Sequence, residues 1–400
     1  MNSVPQNIEI VIENVPAFLL DWDAGDMFML ALESCLSYLG QKINSWWLTG
    51  ISGDAFKFVY DKDDVREPMR DRVPIDTISF ACASVGWEGK WFVNEKIERT
   101  KDRIKNSLKE GYPIITSNLG SQWYHGAIII TGINEDTDEF LLQIGRENLS
   151  DSYKYEKISI SEKWDGPVPG PIIWADNPIF LFEKKINQPD QKNIFFESIN
   201  RAINLYKGKS LLYKNHPGAQ KYSTPSLEDK SLKQGLAALI DLKEEIEQSE
   251  ITWPVIWSVT TQAGQLSYDR SNAGRFLEEI EKYLQYSQLK AISKLYNETS
   301  QLSSILKQSY WDKRLNETSS LEKLIENING SQSFLYDVSN LKTEILERIR
   351  NIFPVIDTLW GPAVKLDSPV RRNYNSNLMN MVLNNEKRSL ELLTRLINLI

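Results

Sequence analysis

The chain has 400 residues, of which 41% are hydrophobic and 25% charged, and its 54 acidic side chains outnumber 46 basic ones to leave a net charge of −8. That length exceeds one ordinary core and suits two domains. The acidic balance leaves no basic stripe to neutralise phosphate, which argues against a nucleic-acid partner.

In chain order, IEIVIENV (8–15) reads as a strand. Asp26 is placed to cap a helix from Met27 to Leu39, which Gly40 ends. DAFKFVY (54–60) reads as a second strand. Residues 74–85 read as a helix that opens on Pro74 and stops at Gly86. Residues 95–110 have the spacing of an amphipathic helix closed by Gly111. YPIITSN (112–118), HGAIIITGI (125–133), EFLLQIG (139–145) and PIFLFEK (178–184) are short apolar runs, with the turn NEDTD (134–138) between two of them, and they predict antiparallel strands. The first 187 residues therefore predict an α+β domain with one buried helix against a sheet.

From Asn193 onward strand signals stop and helical periodicity takes over. FFESINRAINLYKG, LKQGLAALIDLKEEIEQ, the long run from NAGRFLEEI to SSILKQ, LKTEILERIRNIF and EKRSLELLTRLINLI all carry it. An all-helical domain over 193–400 is expected, with the boundary near KKINQPDQKN (184–193). The terminal LELLTRLINLI has no basic-rich face and is expected to pack on a neighbouring helix rather than on a membrane. No run of about 18 apolar residues predicts a membrane span. The N-terminus lacks a cationic start before an apolar run, so no signal peptide is expected.

Two cysteines make no disulfide framework and suit a reducing cytoplasm. With two histidines, and no C-x-x-C or H-x-x-x-H spacing, they predict no metal site, and no cofactor is called for. Acyl chemistry needs a nucleophile, a base in hydrogen-bond reach and a group that orients the base. His125 opens an apolar strand directly after a loop with Gly120, Gln122, Trp123 and Tyr124. It reads either as a base, with Trp123 and Tyr124 lining a substrate, or as a packed histidine bonded to backbone. His216, in KNHPGAQ, reads as a loop residue. Cys35 shares an apolar stripe with Phe28, Leu32 and Leu39, and Cys82 in ISFACASVG has the same look. Both read as inert core thiols, because burial raises a thiol pKa.

DMFMLALESCLSYLG, LTGISGDAFKF, GYPIITSN and YHGAIIITGINED follow one another in an order that resembles a branch of the papain-like cysteine peptidase superfamily. That branch includes the N-terminal domain of the butirosin acyltransferase and the double-glycine peptidases that process bacteriocins. GLAALIDL (235–242) and YDRSNAGRFLEEI (268–280) resemble the helical domain that follows in the butirosin-type group. The resemblance implies an α+β papain-like domain followed by an all-α domain. It places the histidine of the site at His125 and the third residue near Gln143, with Asn148 or Asp151 as alternatives. It places the cysteine at Met27, after the acid Asp26. A thioether has no proton to lose, so the frame and the base are expected without the nucleophile. The function implied is acyl transfer or amide formation in small-molecule biosynthesis, on an acyl-carrier protein or a small amine or peptide. The alternative is a degenerate binding or scaffold module. Arg270 matches an arginine of the helical domain and is expected either to clamp an anionic ligand or to make a surface ion pair.

Overall fold

In the computed structural model the described residues are 10–18, 27–61, 77–92, 97–117, 127–134, 136–137, 139–144, 155–159, 179–207, 232–248, 253–311 and 369–399. The chain is mixed α and β, and it divides into two compact units that are not contiguous in sequence. The N-terminal unit comprises Met1–Ser52, Arg72–Phe195 and Leu211–Glu228. The helical unit comprises Gly53–Asp71, Phe196–Ser210 and Asp229–Ile400. A single boundary near residues 184–193 is thus too simple, because the segment from Gly53 leaves the N-terminal unit early and belongs with the helices.

The N-terminal unit is built on a seven-stranded antiparallel sheet. Its strands are β1 (Ile10–Val11), β3 (Trp87–Phe92), β4 (Ile114–Ser117), β5 (Ala127–Asn134), β6 (Glu139–Ile144), β7 (Tyr155–Ser159) and β8 (Ile179–Lys185). They run in the order β3-β8-β4-β5-β6-β7, with β1 paired to β5 at Ile133 and Gly132. Every residue of β5 is buried, so both faces of that strand are covered. This explains its unbroken AIIITGI run, since a half-solvated strand would alternate. Helix α1 (Met27–Tyr38) lies against β4 and β5, and α4 (Ile97–Lys109) against β1, β4, β5 and β8. Helix α4 buries Thr100, Ile104, Ser107 and Leu108 and leaves Glu98 and Arg99 exposed, as its amphipathic spacing requires. Helices α2 (Ser45–Ile51) and α3 (Thr77–Ser84) pack together, and both touch α1. Strands β3 and β7 escape the sequence reading. WEGKWF bends at a register shift between Glu88 and Gly89, which interrupts its alternation.

The helical unit holds α6 (Leu236–Glu247), α7 (Trp253–Leu284), α8 (Ser287–Trp311), α9 (Pro369–Asn398) and the C-terminal part of α5 (Gln191–Tyr206). It is not all-helical. Strand β2 (Val59–Asp61) pairs antiparallel with β9 (Leu232–Gln234) in a sheet of two strands. No three-residue piece such as LKQ carries a strand period, so only its partner reveals it. The 54–60 run is also less extended than expected, because Asp54–Phe56 forms a 3-10 turn before the strand. Helices α7 and α8 form an antiparallel hairpin. Gly264 lies against Lys307 and Gly274 against Asn297, and the chain reverses through Gln285, which takes φ 58°. Helix α9 packs on α8 and α6. Leu239, Leu242, Leu266, Leu302, Leu306, Met379 and Val382 are among the fully buried residues of the shared core.

At the centre of this unit sits Arg270, fully buried on α7. Its Nε donates to Glu386 Oε1 at 2.8 Å and its Nη2 to Glu386 Oε2 at 3.0 Å. Its Nη1 donates to the carbonyls of Ala55 at 2.7 Å and Lys57 at 3.3 Å. The Tyr206 and Tyr296 rings flank the guanidinium at 5.5 and 5.8 Å, and the Tyr206 hydroxyl donates to Glu386 Oε2. Burial pulls the Arg270 pKa down, but Glu386 outweighs it and holds the guanidinium charged. A second buried pair, Lys57 with Asp54 at 2.8 Å, sits in the same segment.

Gly235, with φ 64°, closes the β9–α6 junction. Its N–H donates to Phe58 O at 2.8 Å, and a Cβ there would lie 2.5 Å from Tyr206 O. Gly111 has φ 81° but nothing within 4 Å of its would-be Cβ. Gly111→Ala is therefore expected to cost only the left-handed strain, about 1–2 kcal/mol. Gly235→Ala is expected to cost at least about 3 kcal/mol, since overpacking against fixed backbone adds to that strain. Urea unfolding of the two variants beside the parent checks the order.

Candidate functional site

Of the residues expected to form a site, Met27 and Gln143 are described in the N-terminal unit and Arg270 in the helical unit. Helix α1 begins at Met27, which is half-buried, and carries no acidic residue in its first turn. The first turn is anchored by rings. Phe28 meets Trp91 edge-on at 5.8 Å, Trp91 meets Phe180 at 5.4 Å, and Phe180 meets Phe182 at 5.5 Å. Gly89 makes room for that ladder, because a Cβ there would stand 2.4 Å from Phe180 Cζ. Edge-to-face geometry of this kind adds about 0.5–1.5 kcal/mol per pair beyond burial. The ladder seats the helix start against Trp91 of β3.

Further along α1, polar contacts fix its rotation. The Ser34 hydroxyl donates to Pro16 O, and Gln143 Nε2 on β6 donates to the same carbonyl at 2.7 Å. Glu33 Oε2 accepts the Ser45 N–H at 2.6 Å and so satisfies a free donor at the start of α2. Gln143 is only 2% exposed, and it stands opposite Ile129 of β5. Its Oε1 is buried and accepts no hydrogen bond from any described residue. A buried carbonyl oxygen left without a donor costs about 1–3 kcal/mol. Sequence reasoning singled out Gln143 but not Ser34 or Pro16. A serine inside an apolar stripe beside Cys35 was the available signal.

Neither thiol can serve as a nucleophile. Cys35 and Cys82 are the chain's two cysteines, and both are fully buried. Burial, and then the neighbouring Cys82, push the Cys35 thiol well above its ordinary value. Burial does the same to Cys82. Helix α1 is buried on Phe28, Met29, Ala31, Leu32, Ser34, Cys35 and Leu36, so Cys35 belongs to a core helix and not to a cleft.

Arg270 is neither a surface ion pair nor a clamp facing a ligand. It lies fully buried in the helical unit, with donors committed to Glu386 and to two backbone carbonyls. The sequence did hold a signal. Ala263, Leu266, Ala273 and Leu277 put Arg270 on an apolar stripe, and Val382 and Leu393 do the same for Glu386. A charge on such a stripe needs a buried partner. Asp26, Trp123, Tyr124, His125, Asn148, Asp151 and His216 lie outside the described residues. Among the described residues no group of His, Cys, Asp or Glu is arranged to hold a metal ion, and no helix is long and apolar enough to cross a membrane. No model of a known protein family matches the chain, and none of the curated proteins compared with it is a significant match.

Thiol labelling tests the assignment of Cys35 and Cys82 to the core. In the folded protein both are expected to resist iodoacetamide from pH 7 to pH 9, and both are expected to label once urea unfolds the chain. The pH sign follows from their raised pKa values. An unfolded thiol ionises from about pH 8.5 while the folded one stays neutral, so stability is expected to fall as pH rises past that value. Rapid labelling of Cys35 at pH 7 without urea would contradict this assignment.

Proposed function

We propose that the N-terminal unit is a papain-like frame without its thiol, which binds an acyl- or amide-bearing ligand in small-molecule biosynthesis and forms no covalent cysteine intermediate. The observation that carries this reading is the state of the sulfur atoms. Both thiols are buried and held protonated, and the first residue of α1 is a thioether. What supports the reading beside this is the order of butirosin-type motifs in the sequence, together with a helix packed on an antiparallel sheet and a second, largely helical unit. The ligand classes are an acyl chain on a carrier protein and a small amine or peptide.

A second reading is direct acyl transfer from a carrier thioester to an amine. One observation favours it, the buried Gln143 Oε1, which is oriented by its own Nε2 bond to Pro16 O and accepts no hydrogen bond from any described residue. A glutamine carbonyl in that position can receive an imidazole N–H, although it brings no charge to stabilise an imidazolium. His125 is then the base that deprotonates the amine, Trp123 and Tyr124 line the acyl chain, and the first amides of α1 after Asp26 stabilise the oxyanion. Nucleophile and acceptor meet on the frame, so no acyl-enzyme is needed.

The two readings separate in one experiment. The protein is incubated with acyl-carrier thioesters and amine acceptors, amide product is followed by mass spectrometry, and the intact protein is weighed. The binding reading expects carrier or amine to bind, with no product and no added mass. Direct transfer expects amide without added mass, and a loss of at least about 100-fold in rate for His125→Ala, the usual size of a general-base effect. Acyl mass on Cys35 or Cys82 would overturn both.

A further inference from the structure

The segment Ile10–Phe18 belongs to the N-terminal unit and is laid across it as a strap. Its sequence dictates where it can bond. Ile10 and Val11 pair with β5, and the Ile12 N–H donates to Thr131 O at 2.7 Å. Asn14 then takes φ 65°, a left-handed conformation that asparagine tolerates and a β-branched residue does not. Pro16 has no N–H to give to a ladder, but its carbonyl remains a full acceptor. Ile12, Val15 and Phe18 are buried and anchor the segment before and after that carbonyl.

The Pro16 carbonyl takes donors from two other elements of the same unit. The Ser34 hydroxyl comes from α1, and Gln143 Nε2 comes from β6 at 2.7 Å. Both side chains are buried. A carbonyl oxygen has two lone pairs, so these two donors fill it. It also accepts and never donates, which fixes the end of the Gln143 amide that it meets. Nε2 turns toward the strap and Oε1 away from it. The inverted amide would set two buried carbonyl oxygens against each other.

We propose that the strap is a positioning element, which through the one carbonyl of Pro16 sets the rotation of α1 and the orientation of the Gln143 amide together. Ser34 and Gln143 are then coupled through Pro16, although they stand on a helix and a strand far apart in sequence. A change in the strap reaches α1 and β6, and a change on either reaches the strap. The consequence for function rests on the reading in which Gln143 Oε1 accepts an N–H, because the strap is what presents that oxygen rather than the amide nitrogen.

Hydrogen exchange of the full chain, read by peptide mass with no ligand added, tests this and can fail without any failure of the proposed function. Peptides from 10–18, α1 and β6 report on the strap and its partners, and β8 is the reference within the same unit. Gln143→Glu keeps the shape of the side chain. Its carboxyl donates to Pro16 O while protonated and repels it once ionised. Exchange of 10–18, corrected for intrinsic pH dependence and compared with the parent, is expected to rise at least about tenfold from about pH 5 to about pH 8, with burial holding the transition above the ordinary glutamate range. Ser34→Ala removes the other donor, and Asn14→Val strains the bend from its exposed side. Each is expected to speed exchange about tenfold in both 10–18 and α1, with β8 within about threefold of the parent. Three results would overturn the proposal. The first is parental protection of 10–18 in Gln143→Glu across that pH range. The second is a strap loosened by Ser34→Ala or Asn14→Val while α1 keeps its protection. The third is a rise that β8 shares equally in every variant, which describes general loss of stability.

Discussion

A guanidinium with no access to water governs the architecture of the helical unit. An arginine cannot shed its proton to escape burial, so the surrounding structure must supply a countercharge and enough acceptors. Glu386 provides the countercharge in a two-pronged geometry, and Ala55 and Lys57 provide carbonyls. Each partner comes from a different stretch of chain: α7 holds the arginine, α9 the glutamate, α5 the Tyr206 hydroxyl and residues 55–57 the carbonyls. Four separate parts of the sequence must therefore arrive together. Replacing such a pair by apolar groups can be neutral, yet removing one partner leaves an uncompensated charge. This makes the site a specifier of arrangement more than a source of net stability.

The contrast with the N-terminal unit is instructive. There the constraint combines rings and hydrogen bonds, with α1 seated by the Phe28–Trp91–Phe180 ring ladder and turned by Ser34 and Gln143 on a single carbonyl. The start of α1 carries the Met27 thioether, and both thiols lie buried in the core. This unit thus combines a ring-seated helix terminus, two cysteines kept in the core and a buried glutamine oxygen that accepts no hydrogen bond from the described residues.

Much of this was legible in the residues. The α1 stripe, the continuous apolar run of β5 and the amphipathic α4 all follow from periodicity, and all three elements form close to where the pattern puts them. The inert look of Cys35 and Cys82 was also readable, because a thiol among Phe28, Leu32 and Leu36 has nothing to stabilise its anion. What escaped was non-local. Strand β9 exists because β2 lies beside it, and β2 is there because Arg270 captures the turn before it. No window along the sequence contains that information. Arg270 reads from the sequence as a surface or ligand-facing charge, although its place on an apolar stripe already implies burial. The break at Gln285, where α7 gives way to α8, carries no glycine or proline and so leaves no local mark.

A double-mutant cycle across Arg270 and Glu386 tests the central claim most directly, with Arg270→Met, Glu386→Leu and the pair measured by urea unfolding. If the guanidinium organises the unit, each single variant loses about 3–5 kcal/mol, because each leaves one charge buried alone. The double variant then loses no more than either single, with a coupling of at least about 2 kcal/mol. Single losses below about 1 kcal/mol that simply add would contradict the account, since they describe two solvated side chains rather than a buried pair.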